Sequence, residues 1–132
     1  MNIKTTFPDA SNPMVTLVRD GPLFIMTMKT KENRFTTKFV EALFGALDEI
    51  EKVLKQEDGE PAALITTGEG KFFSNGLDLQ HAISTPGFFE NYYLKLLIRI
   101  LTFPIPTVAA INGHAFAGGF MLAIAHGKKI EN

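Results

Sequence analysis

A chain of 132 residues, 45% of them hydrophobic and 20% charged, has the length of one compact domain and the composition of a soluble globular protein. A formal net charge of -1 argues against nucleic acid or an anionic membrane as a partner, since both favour a basic surface. The absence of cysteine excludes disulfides, thiolate metal sites and cysteine nucleophiles.

Residues 1–13 are polar and hold no apolar stretch of signal-peptide length. Residues 14–18 alternate as a strand does, Asp20-Gly21-Pro22 marks a turn, and residues 23–28 read as the return strand. Asn33 and Arg34 fall in the connection that follows. Thr36 or Thr37 caps a helix with Phe39, Leu43, Leu47, Ile50 and Leu54 on its apolar face. That spacing keeps the helical period and predicts packing on a sheet. Asp58-Gly59-Glu60-Pro61 closes the helical region, and residues 62–67 form the continuously apolar run of a strand covered on both faces. A second helix is predicted over residues 88–101, with Phe89, Tyr92, Leu96 and Ile100 on one stripe; Pro104 and Pro106 stop it. Residues 107–111 are another buried strand, Asn112-Gly113 turns the chain, and residues 118–125 begin a helix of about two turns. Strands alternating with helices imply an α/β fold with right-handed crossovers. The apolar runs are broken by Pro104, Pro106, Gly113 and Gly118, so no membrane span is expected. Residues 129–132 match no targeting tripeptide, and the expectation is a soluble intracellular protein.

Two segments stand out, each where a strand gives way to a loop or helix. The first is Phe72-Phe73-Ser74-Asn75-Gly76-Leu77-Asp78-Leu79, and the second is Asn112-Gly113-His114-Ala115-Phe116-Ala117-Gly118-Gly119. Glycine at such points allows a ligand to approach the main chain closely. A helix starting at Gly118 directs unpaired N–H groups and its positive dipole end at whatever lies above. Brought together, two such turns supply two N–H donors to one oxygen, the arrangement of an oxyanion hole.

In this order and with these flanks, the two segments resemble the crotonase (enoyl-CoA hydratase/isomerase) family. The first is similar to its aromatic-Ser-x-Gly-x-Asp-Leu signature. The second, extended back to Pro106, is similar to its Pro-x-Val-Ala-x-Ile-Asn-Gly-x-Ala-x-x-Gly-Gly segment, and Asn33 sits where the family has an early Asn. The resemblance covers residues 13–126, with 127–132 as a divergent tail. It implies the ClpP/crotonase-like ββα spiral, an α/β fold, present as its amino-terminal portion within one acyl-CoA-binding domain over 1–132. By resemblance the backbone N–H groups of Leu77 and Gly118 form the oxyanion hole, and Asn75, Gly76, Leu77, Asp78, Leu79 and Gly118 contact the substrate. Asp78 has the competing role of a cap for a helix starting near Leu79. Coenzyme A enters as part of the acyl-CoA substrate, with no separate cofactor and no metal. A homotrimer and a peroxisomal or cytoplasmic location in fatty-acid β-oxidation follow by the same resemblance.

The sequence also departs from the family pattern. Hydratases of the family carry a glutamate shortly after the Gly-Gly turn, where this chain has Met121. A thioether takes no proton from water, so the residue resembles instead the Δ3,Δ2-enoyl-CoA isomerases, which use one glutamate from a later segment. That glutamate is expected beyond Asn132. Two function classes follow: an enoyl-CoA isomerase by descent, or a non-catalytic fragment that binds acyl-CoA or full-length subunits. A hydratase is a further alternative. As bases within the chain, Glu69 and Glu90 are expected at the surface, while His114 follows the Asn-Gly turn and can approach a thioester. His81, His114 and His126 are not at metal-ligand spacing. Phe88, Phe89, Tyr92 and Tyr93 either wall an acyl tunnel or belong to the core. Gly68-Glu69-Gly70-Lys71 lacks phosphate-loop spacing, neither glycine segment is a Gly-x-Gly-x-x-Gly fingerprint, and Ser74 has no His–acid pair for Clp-type proteolysis. Open apolar faces predict self-association or low solubility.

Overall fold

The computed structural model describes residues 3–131, apart from the side chain of Ile3. Strands β1 (Ile3–Asp9), β2 (Asn12–Asp20) and β3 (Leu23–Met28) form an antiparallel meander, β2 and β3 being joined by the turn at Gly21. Short β4 (Arg34–Phe35) precedes the long helix α1 (Thr37–Gln56), and β5 (Ala63–Gly68) follows it. The first glycine segment makes β6 (Phe72–Ser74), β7 (Gly76–Leu77) and helix α2 (Leu79–Ser84). A π-helical turn (Phe89–Tyr93) leads into α3 (Leu94–Leu101). Strand β8 (Thr107–Ile111), β9 (His114–Ala115), α4 (Gly118–Ala125) and β10 (Lys128–Glu131) complete the order. The main sheet runs β1-β2-β3-β5-β8-β10, with β3, β5, β8 and β10 parallel. Two small parallel pairs, β4–β7 and β6–β9, lie apart from it.

The sequence reading holds best where the signal is local. Thr36 caps α1, its hydroxyl accepting the Phe39 N–H at 3.2 Å, and Phe39, Leu43, Leu47 and Ile50 are buried as the spacing requires. Each such leucine, fully removed from water, contributes about 1.5–3 kcal/mol. Leu54 is only partly buried, packed against the rim of the core. Val15, Leu17, Met26, Leu64, Thr66 and Ala109 share one face of the sheet through the strand register, and that face packs under α1 and α4.

Other expectations need correction. Coverage of β5 and β8 on both faces does not appear: Leu64 and Thr66 are buried, but Ile65 and Val108 on the opposite face are half-exposed, since the helices gather on one side among the described residues. Residues 88–101 are not one uniform helix. The π-helical turn inserts a residue into the period, so the buried line is Phe88, Tyr93, Leu96 and Ile100, while Phe89 is 45% exposed and Tyr92 half-buried. The polar start contains β1, which pairs along β2, and the divergent tail contains β10, in register with β8. Asn132 lies outside the described residues.

His126 lies where α4 meets the sheet, 2% exposed. A carbonyl only accepts, so Nδ1 donates to Leu122 O (2.8 Å), while Nε2 lies 2.8 Å from the Thr66 hydroxyl, which can serve a neutral ring as donor. Burial pushes its pKa below the ordinary 6.5 despite the neighbouring carbonyls, and Lys129 acts in the same direction as burial. The unfolded chain therefore takes up a proton near 6.5 that the folded chain resists. Stability is complete above that pH and is lost as pH falls through it towards the lower folded value. The melting temperature is expected to fall between about pH 7.5 and pH 5.5 in the wild type, with a shallower slope in His126→Gln; equal slopes would remove His126 as the cause.

Candidate functional site

The two glycine segments leave neighbouring parallel strands, β5 and β8, and stay together. Strand β6 pairs with β9, Phe72 opposite His114 and Ser74 opposite Ala115. The His114 N–H donates to Lys71 O (3.0 Å) and the Phe116 N–H to Ser74 O (3.0 Å). Three polar side chains lock the ribbon, Asn33 and Ser74 buried and Asn112 partly buried. Asn33 accepts the Thr30 N–H (2.9 Å) and hydroxyl (3.2 Å) at Oδ1 and donates from Nδ2 to Phe73 O (2.9 Å) and Phe72 O (3.4 Å). Ser74 donates to Asn33 O (2.7 Å) and accepts the Gly76 N–H (3.1 Å). Asn112 accepts the Gly68 N–H (2.9 Å) and donates to Gly70 O (3.0 Å) and Phe72 O (3.2 Å).

The ribbon brings Gly76 against the head of α4. Gly76 has φ of +89°, and a Cβ placed on it would lie 2.9 Å from the Gly118 nitrogen and 3.1 Å from Phe116 O. A Cβ on Gly119 would run into the Ser74 carbonyl. Ala117, before α4, holds φ of +46° and ψ of -115°, a conformation that costs a non-glycine residue on the order of 1–3 kcal/mol. Gly118 is the first residue of α4, so its N–H has no intrahelical acceptor. Leu77, next to Gly76, is held by register pairing with Phe35 of β4. The Tyr93 hydroxyl donates to Gly118 O (2.7 Å); burial raises its pKa to about 12, so it remains protonated.

The remaining sequence candidates divide. Asn75 donates to Glu32 (2.7 Å), which helps hold that carboxyl below the usual range together with Arg34, and Asn75 Oδ1 is buried without a donor among the described residues. Asp78 caps α2, accepting the His81 N–H at 3.0 Å, as its competing reading required. Leu79 is exposed at the start of α2. Glu69 pairs with Lys29 (3.3 Å) and Glu90 is exposed, both in keeping with surface carboxylates. His114 is exposed and stacks on Phe116 (5.5 Å), and Met121 is half exposed on α4. His81 Nε2 accepts the Thr37 N–H (3.1 Å), tying α2 to the start of α1. Phe88 and Tyr93 belong to the core, and only Phe89 and Tyr92 of that cluster reach the surface. No group of three His, Asp or Glu able to hold a metal occurs among the described residues.

The family model "Enoyl-CoA hydratase/isomerase" matches residues 21–127, which takes in both glycine segments and every helix. The chain belongs to the enoyl-CoA hydratase/isomerase family. "Enoyl-CoA delta isomerase 3" of Arabidopsis thaliana is 36% identical over 121 residues, covering 86% of this chain and 49% of that protein. A "Putative enoyl-CoA hydratase" of Thermus thermophilus is 38% identical over 117 residues, covering 82% and 44%. The crystal structure of an enoyl-CoA hydratase from Geobacillus kaustophilus superposes with a TM-score of 0.79 at 20% identity, over 99% of this chain and 48% of that one. The crotonase fold is thus shared, β10 included. The chain spans about half the length of the curated relatives it matches.

For this enoyl-CoA hydratase/isomerase family member, sequence reasoning missed the Asn33–Ser74–Asn112 lock and the hydrogen bond from Tyr93 to Gly118. Asn33 carried a signal only through its place in the family pattern. Tyr93 was legible as a core residue, but its bond to Gly118 carried no signal, because that contact depends on the π-helical turn.

Proposed function

We propose that this chain carries the thioester-polarising half of an acyl-CoA site, with the backbone N–H groups of Leu77 and Gly118 as the two donors to the thioester oxygen. The observation that carries the reading is the closeness of Gly76 to the Gly118 nitrogen, which sets the residue after Gly76 beside the open N-terminus of α4. Asn75, Gly76, Asp78 and Leu79 line the approach, Asp78 through the cap it forms. Coenzyme A arrives as part of the substrate, and the reading needs no resident cofactor or metal.

The reaction favoured is the shift of a 3-enoyl-CoA double bond to the 2 position. A carboxylate removes the proton at C2, the electron pair moves into a dienolate whose negative oxygen the two N–H groups hold, and the same carboxyl returns the proton at C4. Met121 supports isomerisation over hydration, since water addition in this family uses a carboxylate there. The isomerase names of three Arabidopsis relatives point the same way, and two of those names support a peroxisomal location; a role in β-oxidation is part of the same proposal. The hydratase names of other relatives favour the second reading. Glu69 and Glu90 are exposed, so the proton carrier comes from outside these turns, on a later segment or a partner chain; assembly into a trimer belongs to the same proposal.

The test is isomerisation of a 3-enoyl-CoA and hydration of a 2-enoyl-CoA, each by the chain alone and with a carboxyl half of the Arabidopsis isomerase. Isomerisation only in the mixture is the expected result. Hydration in the mixture favours the second reading, and turnover by the chain alone that falls on replacing Glu69, Glu90 or His114 sinks the external base.

A further inference from the structure

We propose that Tyr93 is a positioning residue that ties the two oxyanion donors together, and that the π-helical turn exists in this chain to place it; this rests on the reading of Leu77 and Gly118 as those donors. Tyr93 is 3% exposed and touches both arms of the site. Its ring packs on Phe35 at 5.4 Å between centroids, and Phe35 is the register partner of Leu77. Its hydroxyl donates to the Gly118 carbonyl at 2.7 Å. A Cβ on Gly118 would lie 3.0 Å from that hydroxyl and 3.4 Å from the Gly76 Cα, so the π-helical turn, the first motif and the second motif meet around one point.

The geometry gives the hydroxyl a specific task. The first residues of α4 follow Ala117, whose positive φ leaves the helix start strained. A hydrogen bond to the Gly118 carbonyl fixes the Gly118–Gly119 peptide plane and, through the Gly118 Cα, restrains the preceding plane that carries the Gly118 N–H. Without the inserted residue the helical period would not bring Phe88 and Tyr93 inward together, and the hydroxyl would leave Gly118. Tyr93 touches no reacting atom in this scheme; it acts through the backbone it holds.

The experiment uses dimethylaminocinnamoyl-CoA, a thioester whose absorption moves to the red when hydrogen bonds polarise its carbonyl. The wild-type chain is expected to shift the spectrum on binding. Tyr93→Phe is expected to bind the probe and lose most of the red shift, while Tyr92→Phe, with a half-buried ring on the same turn, keeps it. A wild-type shift retained in Tyr93→Phe overturns the positioning role and leaves the donors intact. No shift with the wild-type chain overturns the oxyanion reading and this role with it. Should Tyr93→Phe fail to fold, 3-fluorotyrosine at position 93 keeps the shape and alters the donor strength; an unchanged red shift then overturns the role.

Discussion

Gly76→Ala is expected to remove nearly all carbonyl polarisation and to lower turnover of the complemented enzyme by at least about 10²–10³-fold, the loss typical of a single missing oxyanion donor. Two effects converge at this position. The backbone sits at φ of +89°, where an L side chain costs roughly 1–2 kcal/mol. The new methyl would also lie 2.9 Å from the Gly118 nitrogen and 3.1 Å from Phe116 O, both backbone atoms that have no rotamer to yield. Relief requires β7 and the head of α4 to part, and that separation misaligns Leu77 and Gly118 together. The measurement is kcat of the mixture with a carboxyl half, beside the red shift of a bound conjugated thioester with the chain alone. A variant that keeps both would show that the contact between the motifs has no part in holding the thioester.

Asn33→Ala is expected to cost about 3–5 kcal/mol in a urea titration, the range of a broken buried hydrogen-bond network. Asn33 is fully buried, and its side chain serves Thr30 on one side and the Phe72 and Phe73 carbonyls on the other. Removing it leaves backbone groups of two loops without partners in the interior, where each costs about 1–3 kcal/mol. It also leaves alanine at φ of +51°, a conformation asparagine tolerates better. Asn33→Gly separates the two causes: it loses the same hydrogen bonds but relieves the backbone, so it should lie about 1 kcal/mol above alanine. If both variants unfold at the wild-type midpoint, the lock is not what joins β4 to the first glycine segment.

Much of the architecture was legible because its signals are local. The Thr36 cap and the apolar line Phe39, Leu43, Leu47, Ile50 set the start and buried face of α1 whatever it packs on. Glycines 76, 113 and 119 marked the places where backbone meets backbone, and Gly118 the place where the Tyr93 hydroxyl comes against the main chain. Asp78 was open between cap and contact, and its hydrogen bond to the His81 N–H gives the cap. The stripe of residues 88–101 was misread at Phe89 and Tyr92, because a constant period of 3.6 residues carries no sign of a π-helical insertion.

By itself, then, the sequence determined the strand–helix order, the faces of α1, the two glycine turns and the family that they resemble. Each of these is written within a few turns of chain, in periodicity, capping residues and glycine. Only the tertiary structure decided that β4, β6, β7 and β9 exist at all. Strands of two or three residues have no period to read and form only as partners to segments about 40 residues away, as Phe35 pairs with Leu77 and Phe72 with His114. It alone decided that Gly76 meets Gly118 and that Tyr93 reaches both. Such contacts depend on hydrogen bonds and burial that arise only when distant turns are held together, and no local pattern of residues encodes them.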